Sequence, residues 1–180
     1  ILKGMYKLSD AGKAEGPRVQ LLGSGTILRE VMAAAELLKK DWGVCADVWS
    51  CPSFNELRRD GLAAERWNLL HPAEKPKAAY VTQCLANTKG PVIASTDYMR
   101  SFADQIREYV PRRYKVLGTD GFGRSDSREN LRRFCEVNRF YVAVAALKAL
   151  AEDSEVPAAK VAEAIKKYGI DAEKPAPWTV

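Results

Sequence analysis

Histidine is almost missing from this chain: His71 is the only one in 180 residues. A His-rich metal centre is therefore excluded, and any Ser-His-Asp or Cys-His arrangement would have to use this one imidazole. It stands in Leu70-His71-Pro72, without a Gly-x-Ser-x-Gly turn to supply a nucleophile. The residue reads as a hydrogen-bonded histidine in a turn, because imidazoles with partial burial usually find such partners. Cysteine is also sparse. Cys45, Cys51, Cys84 and Cys135 contain no Cys-x-x-Cys pair, so their spacing does not fit a zinc site. Their expected state is reduced, as small residues inside core elements.

Other signals are missing too. No apolar run approaches the roughly 20 residues that span a bilayer. The N-terminus lacks a basic region followed by an apolar stretch, so no signal peptide is read. The first residue is Ile1, not Met, and the expectation is a processed chain or a piece of something longer. Net charge is only +5, from 28 basic and 23 acidic residues. The charges interleave, as in Arg58-Arg59-Asp60 and Arg124-Ser125-Asp126, and form no basic stripe. Neither nucleic acid nor membrane is expected as a partner.

What is present is a well-patterned globular sequence. The apolar fraction is 47% and the charged fraction 28%, ordinary values for a chain long enough to bury a core. Weak alternation over 1–8 suggests an edge strand, followed by a loop through Pro17. Strands are expected at Arg18–Leu22, Val44–Ser50, Pro91–Ser95 and Tyr114–Leu117. Ile27, Val31, Ala34 and Leu38 recur at helical spacing, and Gly43 closes that helix.

Ser53 with Glu56 reads as a capping box for a second helix, with Phe54, Leu57 and Trp67 facing inward. The stretch around Pro72 and Pro76 should be irregular, and Tyr80–Leu85 a short helix. A further helix is expected after Ser95, running to about Ile106. Asn138 caps a helix whose inner face would be Phe140, Val144, Leu147 and Ala151. A last helix starts at Pro157, carries Val161, Ile165 and Tyr168, and ends at Gly169. The tail 171–180 should be extended.

Strands alternating with helices imply an α/β fold. The sheet is expected to be mostly parallel, with helices on both faces and an antiparallel edge strand. The whole of 1–180 reads as a single domain.

Three loops carry polar chemistry. Gly23-Ser24-Gly25-Thr26 joins a strand to a helix. It is neither a full dinucleotide fingerprint, since Leu28 holds the third glycine position, nor a Walker loop. Its expected role is a tight turn, with Ser24 or Thr26 capping the helix. In Ser95-Thr96-Asp97-Tyr98, Thr96 or Asp97 should cap the following helix. The richest segment is Gly118–Asn130. Arg124, Arg128, Arg132 and Arg133 supply forked donors, while Asp120, Asp126 and Glu129 supply acceptors. Ser127 is placed to cap a helix and Asp126 to sit near its positive end. The run reads either as a structural or docking loop or as the border of an active-site channel.

Gly118-Thr119-Asp120-Gly121-Phe122-Gly123-Arg124-Ser125-Asp126-Ser127-Arg128-Glu129-Asn130 closely resembles a loop in the last domain of the homodimeric pyruvate dehydrogenase subunits. These are transketolase-like, thiamine-diphosphate-dependent decarboxylating enzymes of bacteria. Val19–Gly25, Glu65–Pro72 and Ala94–Met99 resemble the same domain, in the same order. The resemblance spans nearly the whole chain and implies the transketolase C-terminal-domain fold. It implies a parent enzyme that decarboxylates pyruvate and reductively acetylates a lipoyl group of a partner acyltransferase. It also implies thiamine diphosphate and Mg²⁺ held by other domains, with no cofactor on this chain alone.

By the same resemblance, the partners would be the other domains of the subunit, the second subunit of a homodimer and the lipoyl acyltransferase. The location would be the bacterial cytoplasm. No catalytic, cofactor-binding or metal-binding residue is assigned to the chain. The loop, interface or channel-lining residues it points to are Asp120, Phe122, Arg124, Ser125, Asp126, Ser127, Arg128, Glu129, Asp97 and His71. A non-catalytic α/β binding module, or the same domain of another thiamine enzyme such as a transketolase, stays open beside this reading.

Overall fold

In the computed structural model, which describes residues 1–12 and 15–180, five strands form one sheet. They are β1 (Tyr6–Ser9), β2 (Arg18–Gly23), β3 (Cys45–Ser50), β4 (Val92–Ser95) and β5 (Tyr114–Leu117), in the order β1-β3-β2-β4-β5. Three pairings, β3–β2, β2–β4 and β4–β5, are parallel, and β1 runs antiparallel to β3 at one edge. The expected edge strand is thus present but starts later, at Tyr6. Gly4 takes a left-handed conformation and the chain before β1 turns back on itself through a Gly4 N–H to Ile1 carbonyl bond.

Seven α-helices are described: α1 (Leu28–Trp42), α2 (Phe54–Leu70), α3 (Tyr80–Leu85), α4 (Arg100–Asp104), α5 (Arg128–Phe134), α6 (Arg139–Glu152) and α7 (Ala158–Lys167). They divide between the two faces of the sheet. Side chains alternate along each strand, so successive residues enter opposite layers. Val19 and Leu21 of β2, Val48 of β3 and Ile93 of β4 meet α1, α6 and α7 on one side. Leu22, Trp49, Val92 and Ala94 meet α2, α3 and α4 on the other. Burying each large aliphatic side chain contributes about 1.5–3 kcal/mol, so two such layers hold the sheet from both faces.

Local signals explain most boundaries. Ser53 Oγ accepts from Glu56 N–H at 3.1 Å and starts α2. The capping box is only half made, because Glu56 turns to Arg59 and the Ser53 N–H donates to the Gly4 carbonyl instead. Gly43 ends α1 in the left-handed region. Asn138 Oδ1 accepts from the N–H groups of Phe140 and Tyr141 and starts α6.

Four expectations need correction. The inner face of α6 is Val142, Ala143, Ala146, Leu147, Ala149 and Leu150. Phe140, Val144 and Ala151 are only half-buried, because this helix lies between α1 and α7 and is apolar nearly all round. Trp67 does not enter the core. It is half-buried and stacks on His71, with the ring centroids 4.4 Å apart. The helix after β4 is cut short at Asp104 and continues as a 3-10 turn, Arg107–Tyr109. The tail is not extended throughout, since Pro177–Thr179 forms a 3-10 turn.

Candidate functional site at the switch point of the sheet

The chain enters β2 in the middle of the sheet, places β3 on one side and then crosses to β4 on the other. In such sheets a crevice opens beyond the carboxyl ends of the strands where the direction of winding reverses. Three loops converge there: 23–28 after β2, 95–99 after β4 and 118–127 after β5. The backbone ladder continues into them. Ser24 N–H donates to the Ser95 carbonyl (3.1 Å), and Thr96 N–H donates to the Leu117 carbonyl (3.1 Å).

Asp97 ties the first two loops together. Its Oδ2 accepts from the Thr26 hydroxyl at 3.1 Å and from the Thr26 N–H at 3.4 Å. Thr119 links the second and third: its hydroxyl donates to the Asp97 carbonyl (2.8 Å) and its N–H to the Tyr98 carbonyl (2.9 Å). Asp120 reaches across to α4. One oxygen accepts from the Arg100 N–H at 3.0 Å, and the other pairs with the Arg100 guanidinium at 3.2 Å.

The expected caps were therefore assigned to the wrong residues. α1 has no side-chain cap, and neither Ser24 nor Thr26 fills that role. Thr96 accepts from Tyr98 N–H instead of capping α4, Asp97 serves Thr26, and the first turn of α4 is capped from a distance by Asp120. A contact between loops cannot be read from local spacing.

The loop after β5 is organised at both ends. Ser127 Oγ accepts from Asn130 N–H (3.3 Å) at the start of α5, as expected. Asp126 Oδ1 accepts from Ser127 N–H (2.6 Å) and Asn130 Nδ2 (2.8 Å). The Asn130 amide, and then the Ser127 N–H, hold the Asp126 carboxyl below its ordinary range. Arginine–carboxylate pairs do not fold the loop on itself. Arg124 lies over the Phe134 ring, 4.3 Å from its centroid. Arg133 donates to the Gly169 carbonyl (2.8 Å). Ser125, Arg128 and Glu129 are exposed.

Two features that sequence reasoning missed fix the position of this loop. The first is Glu30, buried in the first turn of α1. It accepts from Arg132 Nη1 (3.1 Å), Arg139 Nε (2.9 Å), Arg139 Nη2 (3.1 Å) and the Arg139 N–H (3.0 Å). One carboxylate thus clamps α1, α5 and the start of α6. The Arg139 guanidinium bonds are the main reason its acidity is raised, lowering its pKa from 4.5. A signal was available: Glu30 falls on the apolar stripe of α1, between Ile27 and Ala34, where an acid needs a partner.

The second feature is the tail. The Trp178 ring lies 4.5 Å from the Arg100 guanidinium carbon. Gly121, with φ +110, lets the Pro177 carbonyl come so close that a Cβ would sit 2.6 Å from its oxygen. The tail thereby packs against the root of the loop.

Together these elements enclose a cavity of about 340 Å³. Ile27, Leu131, Phe134 and Val137 form apolar walls, and Arg124 and Arg128 line it as well. Phe122, on the cavity's lining, is 86% exposed, and Tyr98, Met99, Phe102 and Trp178 on the adjoining segments are exposed too.

His71 is not part of this site. It closes α2, with Nδ1 2.8 Å from the Trp67 carbonyl, and stacks on the Trp67 ring. The cysteines form no disulfide with one another, and Cys45 and Cys51 are buried. Burial pushes the Cys51 and Cys135 thiols up, which removes nucleophilic character. Among the described residues no group of three or more His, Cys, Asp or Glu side chains is placed to hold a metal. No helix among them is long and apolar enough to cross a membrane.

The architecture and the cluster of loops at the switch point define an α/β domain of the kind found at the C-terminal end of transketolases. Solved structures share it: the transketolase from Leishmania mexicana superposes with a TM-score of 0.54 at 18% identity, over 86% of this chain and 19% of that one. A split-gene transketolase described as an inactive beta4 tetramer gives 0.53 at 16% identity, over 84% and 43%.

The family model of the transketolase-like TK C-terminal domain matches residues 4–138, and the chain belongs to that family. Curated relatives are much nearer in sequence. The pyruvate dehydrogenase E1 component of Cupriavidus necator is 62% identical over 181 residues, covering 100% of this chain and 20% of the relative. The proteins of the same name from Pseudomonas aeruginosa and Escherichia coli K12 are 65% and 57% identical over 97% of the chain. The chain spans about a fifth of the length of these relatives.

Proposed function

We propose that this chain is the C-terminal domain of a homodimeric pyruvate dehydrogenase E1 component. The observation that carries the reading is identity of 57–65% to proteins of that name over essentially the whole chain. Solved transketolases, at 16–20% identity, share only the fold. The parent enzyme decarboxylates pyruvate and reductively acetylates a lipoyl group on its partner acyltransferase, in the bacterial cytoplasm. Residues 1–180 act in it as one domain.

Thiamine diphosphate would supply the parent with an electron sink for the decarboxylation. The residues here do not fit that group with its Mg²⁺. Asp97 and Asp120 are occupied by Thr26 and Arg100, and no cluster of metal ligands accompanies them among the described residues. No chemical step is therefore assigned to this chain, and the cofactor is held by other domains.

Its own contribution is positioning. The exposed residues Tyr98, Met99, Phe102, Phe122 and Trp178 present the kind of apolar surface that another domain or subunit covers. The loop from Asp120 to Glu129 stands beside it. Asp120, Phe122 and Asp97 favour docking, whereas Arg124, Ser125, Asp126, Ser127, Arg128 and Glu129 border the channel through which a lipoyl group reaches the active centre. His71 belongs to a separate surface, around Trp67 and Lys77.

The test uses the full-length parent. Arg124→Ala removes the guanidinium over Phe134, and Asp126→Ala removes the acceptor that shapes the entry to α5. Each is expected to weaken dimerisation or slow lipoyl acetylation several-fold. Sedimentation and an acetylation assay with the free lipoyl domain provide the readouts. Wild-type values for both variants in both assays would reduce the loop to a solvent-exposed connection.

A further inference from the structure

The cavity at the switch point has a chemistry that a docking role does not explain. Its carboxylates are committed: Asp97 to Thr26, and Asp120 to Arg100. Of its cations only Arg132 is committed, to Glu30. Among the described residues Arg124 has only the face of Phe134 as a partner. Among the described residues Arg128 forms no ion pair or hydrogen bond. The Arg124 and Arg128 guanidinium groups, neither in an ion pair among the described residues, therefore line the same cavity as Ile27, Leu131, Phe134 and Val137. The neighbouring arginines differ, since Arg132 is held by Glu30 and Arg133 by Gly169.

We infer that this cavity binds a small organic anion with an apolar body. Its carboxylate or phosphate pairs with Arg124 and Arg128, and its body packs against Phe134 and Leu131. The volume of about 340 Å³ falls within the range of small-molecule pockets. The forked guanidinium groups match a carboxylate or a phosphate. The inference rests on the channel-lining reading only in that the loop stays accessible in the parent.

The test is fluorine NMR on the full-length dimer, with its thiamine diphosphate and Mg²⁺ supplied in excess so that those sites are filled. The probe is para-fluorophenyl phosphate. Neutral para-fluorobenzyl alcohol and inorganic phosphate serve as comparisons. Saturable binding of the probe is expected, weakened about tenfold or more in Arg124→Ala/Arg128→Ala, a change typical of losing a charge-assisted pair.

Arg128→Gln alone should already weaken binding severalfold. It removes no contact of the fold, so it keeps the test valid if the double variant is poorly assembled. The neutral probe should bind much more weakly than the anion, and inorganic phosphate more weakly than the probe. Equal affinity in wild type and Arg128→Gln, or no saturable binding at all, overturns the site. Equal affinity for phosphate and probe overturns the apolar half of it. Lipoyl acetylation in Arg128→Gln separates the two readings: lost probe binding with normal acetylation supports the cavity as a ligand site independent of the channel. Slowed acetylation with unchanged probe binding supports the channel and overturns the cavity.

Discussion

Gly90→Ala is expected to lower the stability of the fold by about 4 kcal/mol or more, a loss reserved for the most damaging single substitutions. Gly90 leads from the turn after α3 into β4 and has φ +79. A Cβ there would lie 1.6 Å from the Arg18 carbonyl oxygen and 2.5 Å from its carbon. Both are backbone atoms at the first residue of β2, so no side chain can swing away. Relief requires β2 and β4 to move apart where the Gln20 N–H meets the Pro91 carbonyl at 2.9 Å. That pairing is the centre of the sheet.

Gly43→Ala is the control. It has a similar φ of +66, but its Cβ would meet nothing within 4 Å. It should cost only about 1 kcal/mol, the conformational penalty alone. Urea titrations of the two variants check this. Similar small losses for both would mean that the β2–β4 pairing yields easily and that the close approach does not matter.

Glu30→Ala should be the second most damaging change, at about 3 kcal/mol, because it strands Arg132 and Arg139 around an empty carboxylate position. Arg139 is partly exposed and can turn to water, which keeps the loss below that of a fully enclosed pair. Arg132, more deeply placed, cannot follow so easily. Since this carboxylate holds α5 against α1, the variant should also loosen the loop that precedes α5.

The pH dependence has a definite sign. The pKa of Glu30 is lowered by folding from 4.5. Its stabilisation is therefore complete above about pH 4.5 and disappears as pH falls through the folded value. The stability difference between wild type and Glu30→Gln should be largest near neutrality and shrink below pH 4.5. A difference that stays constant with pH down to the acid transition would show that the ion pairs contribute nothing.

The elements that could be read from the sequence are those with local causes. The α1 stripe of Ile27, Val31, Ala34 and Leu38, the Ser53, Ser127 and Asn138 caps, and the Gly43 and Gly169 stops each depend on residues a few positions apart. The antiparallel edge strand was also legible, although its start moved from Ile1 to Tyr6. The inner face of α6 was not. Its composition is apolar on nearly every side, so periodicity cannot select a face when two helices and a sheet all pack on it.

At the site, Gly118–Asn130 was recognisable as a polar loop between a strand and a helix. Its anchoring was not legible. Glu30 lies 102 residues from Arg132 in sequence and 109 from Arg139, and Trp178 reaches Arg100 only because the tail folds back. The Arg100–Asp120 pair arises because β4 and β5 are neighbours in the sheet. Such contacts follow from topology, and local spacing carries no trace of them.

On the function proposed above, this chain positions an active centre built elsewhere and binds none of its cofactor. Calorimetry with thiamine diphosphate and Mg²⁺ tests this most directly. The 180-residue chain, shown to be folded by a cooperative thermal transition, would be titrated beside the full-length parent, with and without pyruvate. The expected result is saturable cofactor binding and turnover in the parent, and neither in the chain. Stoichiometric binding of thiamine diphosphate by the folded chain alone would contradict it.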